Sequence, residues 1–363
     1  MTGDEEHGDA RTGAGGVGGL GLVSGRRGRP RLLKAAGIAL AGALVLTAAG
    51  AGWAYWHLNH NIKSVDINSA LGDDRPPKTV PTPSASASAS AAPLPSGPLN
   101  ILVLGSDSRS GAENAQLGGG DSGGARSDTA MVVHIDEGRT TATVVSIPRD
   151  TLVTRPSCPL TSGGTTSVAY GAMFNSAYAV GGPVCAVKTV ESLTNVRMDH
   201  YIEIDFSGFA GLVDALGGVT VTTDEDIDDD QSHLHLAAGT RHLNGTQALA
   251  LARTRHGIGD GSDLGRIGLQ QKLVKALLEQ IGSTDLLTSP SRLYKVADAV
   301  TGSLTTDTGL DSLGELTKLG QSLKGLSSDE VTTVMMPVVT APSDRNRVVA
   351  DEPEAAELWA SLK

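Results

Sequence analysis

The chain has 363 residues, of which 39% are hydrophobic and only 3% aromatic, a length beyond one ordinary domain of about 150 residues. Its 46 Gly and 16 Pro mark flexible segments, and its 2 Cys exclude both a disulfide-dense mini-scaffold and a four-cysteine zinc site. A net charge of −11 argues against a nucleic-acid partner, because such domains carry a basic excess.

Residues 1–34 are Gly-rich and lack periodicity, which predicts a disordered tail; it ends in the cations Arg26, Arg27, Arg29, Arg31 and Lys34. Ala35–Trp56 follows, a run of 22 residues without a charge. At ~1.5 Å rise per residue it makes ~33 Å of helix, enough for a bilayer core of ~30 Å. Trp53, Tyr55 and Trp56 close the run, where amphipathic rings favour the membrane interface. With the cations on its N-terminal side, the positive-inside rule predicts a single-pass anchor, a cytoplasmic N-terminus and an exported remainder. A cleaved signal peptide would show a shorter apolar stretch of ~7–15 residues. Residues 57–98 include PTPSASASASAAPLPSGP, whose composition cannot build a core and predicts an extracellular spacer. The folded domain is expected over 99–363.

Within it, Asn100–Gly105 reads as a buried strand, and Ala130–Asp136 and Thr141–Ile147 as two more, joined by a turn at Glu137, Gly138 and Arg139. Asn175–Val180 and Pro183–Leu193 read as helices, Tyr201–Asp205 as a strand, and Phe206–Leu216 as a helix closed by Gly217 and Gly218. Val219–Thr222 returns as a strand. Asn244 and Gln247 have the spacing of a capping box, opening another helix. Ile267–Ile281 is strongly periodic, and two further helices and a strand at Val331–Met336 finish the chain. Interleaved strands and helices predict an α/β fold, an α–β–α layered domain around a central mixed sheet.

The loops at the strand ends carry the chemistry. GSDSR holds Asp107 and Arg109, RSDT holds Arg126 and Asp128, and IPRD holds Arg149 and Asp150. ARTRH holds Arg253 and Arg255, and DLGR holds Asp263 and Arg266. Guanidinium forks match phosphate oxygens bidentately, and short-loop carboxylates suit a hard cation such as Mg²⁺. The pattern predicts a pyrophosphate held by arginines and a metal; the plain alternative is a set of weak surface ion pairs. GDSGG at 120–124 spells a serine-protease nucleophile loop, yet the only histidines before Ser122 are His7, His57 and His60, in the tail or beside the anchor. His233 and His235 beside Asp228, Asp229 and Asp230 read as a solvated acidic loop. Cys158 and Cys185, both in the exported part, are expected to be joined, tying a loop to the following helix.

Taken in order, LNILVLGSDSR, RSDTAMVVHID, VVSIPRDT, FNSAYAVGG, DHYIEIDFSGFAGLVDALGGV, LNGTQALALARTRH and DLGRIGLQQ strongly resemble the LytR–CpsA–Psr family. The resemblance implies a cell-envelope phosphotransferase. Such an enzyme moves a glycopolymer with its phosphate from a polyprenyl-pyrophosphate carrier to peptidoglycan, at the 6-hydroxyl of N-acetylmuramic acid. It implies an α–β–α fold enclosing a lipid-tail pocket, with Asp107 and Asp128 as Mg²⁺ ligands. Arg109, Arg126, Arg149, Arg253 and Arg255 resemble the pyrophosphate-binding arginines, with Asp107, Asp128, Arg149 and Arg255 nearest the chemistry. Asp263 and Gln270 match polar positions around them. Met173 departs from the pattern, standing where relatives often carry Lys. A pyrophosphatase, or a non-catalytic envelope protein binding polysaccharide or lipid, are the alternatives.

Overall fold

The computed structural model describes residues 47–78, 97–106, 127–160, 162–254, 263–283 and 289–363. The chain divides into two compact units, Met1–Ala54 and Tyr55–Lys363. Of the first unit only residues 47–54 are described, and they are helical. Among the described residues no helix is long and apolar enough to cross a membrane; most of the run 35–56 lies outside them.

The second unit is built on a seven-stranded sheet of order β1-β12-β7-β2-β3-β4-β13. These strands are β1 (Lys63–Val65), β2 (Leu99–Ser106), β3 (Ser127–Ile135), β4 (Ala142–Ile147), β7 (His200–Asp205), β12 (Leu304–Asp307) and β13 (Val331–Met335). The sheet is mixed: β2 runs antiparallel to β3 and parallel to β7, and β4 runs antiparallel to β3 and parallel to β13. Its central strands are apolar on both faces, as a sheet covered on both sides requires.

Leu102, Leu104, Val132, Val145 and Ile147 pack with Phe174, Val187 and Val190 of helix α2 (Phe174–Thr194) and with Trp359 of helix α8 (Glu354–Ala360). On the opposite face Leu99, Ile101 and Ile135 meet Leu319 of α7 (Leu313–Ser322). A separate apolar cluster is made by α3 (Phe206–Leu216), α4 (Gly245–Arg253) and α5 (Asp263–Ser283) through Val213, Leu251, Leu269 and Leu273. α2 is one element with a kink: Gly181 and Gly182 leave helical geometry just before Pro183, so the two helices read from the sequence are its two halves. The Asn244–Gln247 capping box forms as expected.

Short paired strands lie outside the main sheet; of these, only the one at Val219–Thr222 was expected from the sequence. They are β5 (Leu152–Arg155) with β6 (Ala169–Met173), β9 (Ile227–Asp229) with β10 (Leu234–Leu236), β8 (Val219–Thr223) with β11 (Gly239–Leu243), and β14 (Val338–Ala341) with β15 (Asp344–Ala350). Cys158 and Cys185, both fully buried, are joined, fastening the β5–β6 connection to α2 beside its kink.

One boundary needs correction. Residues 57–78, assigned by composition to the spacer, belong to the folded unit. β1 pairs in parallel with β12 at the sheet edge, and Ile67 and Leu71 of α1 (Ile67–Leu71) sit in the main core. Arg75 donates from Nη2 to Glu191 Oε1 at 2.6 Å and to Met198 O at 2.6 Å, with both charged side chains buried. Spacer composition is therefore confined to the Pro/Ser/Ala tract beyond Lys78. Nearby, Asp307 of β12 accepts from Tyr201 N at 2.8 Å, from Gly309 N at 2.7 Å and from His200 Nδ1 at 3.1 Å. Burial pushes the Asp307 carboxyl up, but the His200 bond and these amides outweigh it and hold it below its ordinary value.

Candidate functional site

β2, β4 and β7 finish, and β3 starts, at one end of the sheet: Ser106 pairs with Ser127 and with Asp205, and Ile147 with Ala130. The charged motifs therefore leave the sheet together. Asp107, Arg109, Arg126, Arg255 and the GDSGG segment lie outside the described residues, and of Asp128 and Asp263 the structure describes the backbone alone. That backbone is informative. Gly105 faces Thr129 while Ser106 faces Ser127, so Asp128 is the extra residue of a bulge, a device that re-aims a side chain.

Behind this end lies a cavity of about 310 Å³ between the sheet and α3, α4 and α5. Its sheet wall runs from Gly105 and Thr129 at the strand ends to Val103 and Met131 further along, with Ile204 beside them. A Cβ at Gly105 would come 3.2 Å from Thr129 Cβ, so a side chain here would crowd that wall. The helix wall is Phe206, Phe209, Leu249, Leu273, Val274 and Leu277. The polar lining includes Asp205, Arg253, Arg266 and Gln270.

Each polar group has a local cause. Asp205 caps α3, its Oδ1 accepting from Gly208 N at 2.8 Å and Ser207 Oγ at 2.9 Å. Arg253, in the last turn of α4, holds its Cζ 4.8 Å from the centre of the Phe206 ring, a cation–π contact that sets the guanidinium at the lining. Gln270, in the second turn of α5, donates from Nε2 to Thr129 Oγ1 at 3.0 Å and to Ala252 O at 2.9 Å. It braces β3, α4 and α5 against one another. Arg266, one turn earlier, is buried at 4% exposure.

Arg149 stands apart from the cavity lining. It occupies the turn after β4, where Thr151 N donates to Pro148 O at 3.0 Å and Asn175 N to Arg149 O at 3.1 Å. Its Nε lies 3.8 Å from Asp150 Oδ2, and Arg347 Nη1 of β15 lies 3.6 Å from the same oxygen. Of the sequence-predicted site residues whose side chains are described, the structure thus gathers Arg253 and Gln270 at the cavity and sets Arg149 on the adjoining turn. Asp205, Phe206 and Thr129 were not singled out; their sequence signals were the strand-to-helix junction IEIDFSG and, for Thr129, its place at the end of RSDT. Asp228, Asp230 and His235 bring ligand atoms within 4.8 Å of one another, but all three are exposed, as a solvated acidic loop.

The LytR_cpsA_psr family model matches residues 54–363. The "Probable cell wall biosynthesis protein LcpB" of Corynebacterium glutamicum is 35% identical over 272 residues, covering 73% of this chain and 61% of that protein. The "Polyisoprenyl-teichoic acid--peptidoglycan teichoic acid transferase TagV" of Bacillus subtilis is 29% identical over 266 residues, covering 72% of this chain and 62% of that protein. The chain thus spans about three-fifths of the length of these curated relatives. The crystal structure of B. subtilis TagV superposes with a TM-score of 0.55 at 26% identity, covering 74% of this chain and 96% of that one.

Proposed function

Because the chain belongs to the LytR_cpsA_psr family, we propose that it is a membrane-anchored phosphotransferase of the cell envelope, its second unit exported. It moves a glycopolymer with its phosphate from a polyprenyl-pyrophosphate carrier to peptidoglycan. The observation that carries this reading is a single cavity with two characters: apolar along the sheet and helices, and cationic through Arg253 and Arg266. A prenyl chain suits the apolar wall, and a pyrophosphate suits the guanidinium groups. The teichoic acid transferase activity for which TagV, 29% identical, is named supports the same substrate class.

In this reading the arginines Arg109, Arg126, Arg149, Arg253 and Arg255 hold the pyrophosphate, and Gln270 keeps β3 and α4 in register beneath it. Asp107, next in sequence after β2, and Asp128, the bulge residue of β3, are the donor type and number that suit Mg²⁺ alongside substrate phosphates. Bound there, Mg²⁺ would supply charge neutralisation of the phosphate oxygens. The acceptor hydroxyl oxygen of N-acetylmuramic acid attacks the glycan-bearing phosphorus. A new C–O–P linkage forms, the P–O bond to the carrier breaks, and polyprenyl phosphate departs with the electron pair. The hydroxyl proton passes to one of these two aspartates. Phosphoryl transfer asks the protein mainly for this positioning and charge stabilisation.

The test is the full chain with a synthetic polyprenyl-pyrophosphate glycan, peptidoglycan fragments and Mg²⁺, analysed by mass spectrometry. A glycan-phosphate adduct on the fragment is the expected product. Released glycan phosphate without adduct would identify a pyrophosphatase, and no turnover a binding protein.

A further inference from the structure

The folded unit begins at Tyr55, inside the charge-free run that ends at Trp56. Leu58 is already buried, and three side chains fasten the helical residues 55–61 to two other helices. His57 Nε2 lies 3.0 Å from Asp298 Oδ1, Asn61 Nδ2 donates to the same oxygen at 3.3 Å, and Asn59 Oδ1 accepts from Leu313 N at 3.0 Å. β1 starts at Lys63, directly after this helical segment, so the second unit is folded from its first residues. The Pro/Ser/Ala tract comes later and is moored at both ends. Lys78 and Pro98 line one cleft, Lys78 Nζ lies 2.8 Å from Asp199 Oδ1, and Asn100 N donates to Asp199 Oδ2 at 3.0 Å. Because the residues flanking this tract on both sides meet at one carboxylate of the folded unit, the tract does not set the distance between that unit and the residues before it.

The surface around residues 55–61 has the composition of an interfacial belt. Tyr55 and Trp56 are 55% and 60% exposed, and Trp56 stacks on His60 with ring centres 5.3 Å apart. Helix α6 (Pro290–Ser303), which supplies Asp298, exposes Lys295 one turn before it and Arg292 and Leu293 beyond. Aromatic rings favour the headgroup level, and cations complement anionic headgroups. On an acidic protein, such a patch is set apart by sign as well as by position.

Resting on the anchor reading, we propose that the folded unit lies directly against the outer leaflet through residues 55–61 and the first turns of α6. Its partner is the anionic lipid surface itself. The carrier lipid then reaches the cavity without the domain descending to fetch it.

The full chain, reconstituted in phosphatidylglycerol-rich vesicles, tests this with a photo-crosslinking residue at Leu293, at Lys295 or, as a control, at Tyr170 of the β5–β6 hairpin. Lipid adducts at 293 and 295 should exceed those at 170 by at least tenfold. Replacing residues 79–96 with a short Gly–Ser link should leave the adducts unchanged, whereas inserting that tract between Ala54 and Tyr55 should abolish them. A chain that fails to co-float with vesicles overturns the anchor and this proposal together. A chain that co-floats but gives no more adduct at 293 and 295 than at 170 overturns only the direct seating.

Discussion

Arg253 is positioned by its surroundings: its guanidinium lies over the Phe206 ring, and the carbonyl of the preceding residue, Ala252, is held by Gln270. A Lys there keeps the charge but loses the planar fork and the stacked geometry. Arg253→Lys should cut glycopolymer transfer by roughly tenfold or more, since a charge-assisted hydrogen bond is worth about 1.5–3 kcal/mol. The loss is read in the mass-spectrometric transfer assay, with the melting temperature as the control for folding. Asp107→Asn should instead raise the Mg²⁺ concentration needed for half-maximal transfer, and excess Mg²⁺ should give partial rescue; an unchanged Mg²⁺ titration would remove Asp107 from the metal site. Arg253 and Gln270 were legible in ARTRH and DLGRIGLQQ because charge and amide stand out against apolar helices. Val103, Met131 and Leu273 were legible only as core, since lining a cavity and filling one demand the same residue type. Phe206 was read as the start of a helix, and nothing in its spacing told of a guanidinium above it.

Among the elements, the contact of α3 with α4 leaves no room for a side chain. A Cβ at Gly245, the first residue of α4, would come within 2.0 Å of Ala210 O in α3, so a side chain there must push two backbones apart. Gly245→Ala should destabilise the protein by about 1–3 kcal/mol or more, as overpacking does, and equilibrium denaturation of the purified protein measures it. The reassigned segment gives a second check. Arg75→Ala leaves Glu191 buried without its cation, which costs about 3–5 kcal/mol; a residue in a free spacer would cost nothing in the same denaturation experiment. β2, β3 and β4 could be read from the sequence because each is a long apolar run. β1 could not, because KSV has no strand character of its own and is a strand only through its partner Thr305–Asp307. The kink in α2 was legible in AVGGPV, where Gly and Pro punctuate the pattern.

At the scale of the whole molecule, acid should loosen the sheet at the β12 edge. The Asp307 carboxyl sits below its ordinary value in the folded state, so its ionised form stabilises the fold fully above about pH 4, the unfolded value. That contribution fades as pH falls through the lowered folded value. The stability gap between wild type and Asp307→Asn should therefore be constant near neutrality and narrow below about pH 4, as followed by thermal melts across pH. Order along the chain adds a consequence of another kind. Thr306 Oγ1 donates to Lys63 O across 243 positions of sequence, so the first strand to follow the charge-free run finds its partner near the far end of the chain. Contacts of such separation form late, because loop closure must precede them. For a chain synthesised N-terminus first, the β1 edge therefore stays unmade until most of the polypeptide has been made. Until then, the partner of the first strand is missing and the sheet carries an open edge, a natural target for the chaperones and proteases that triage unfinished molecules.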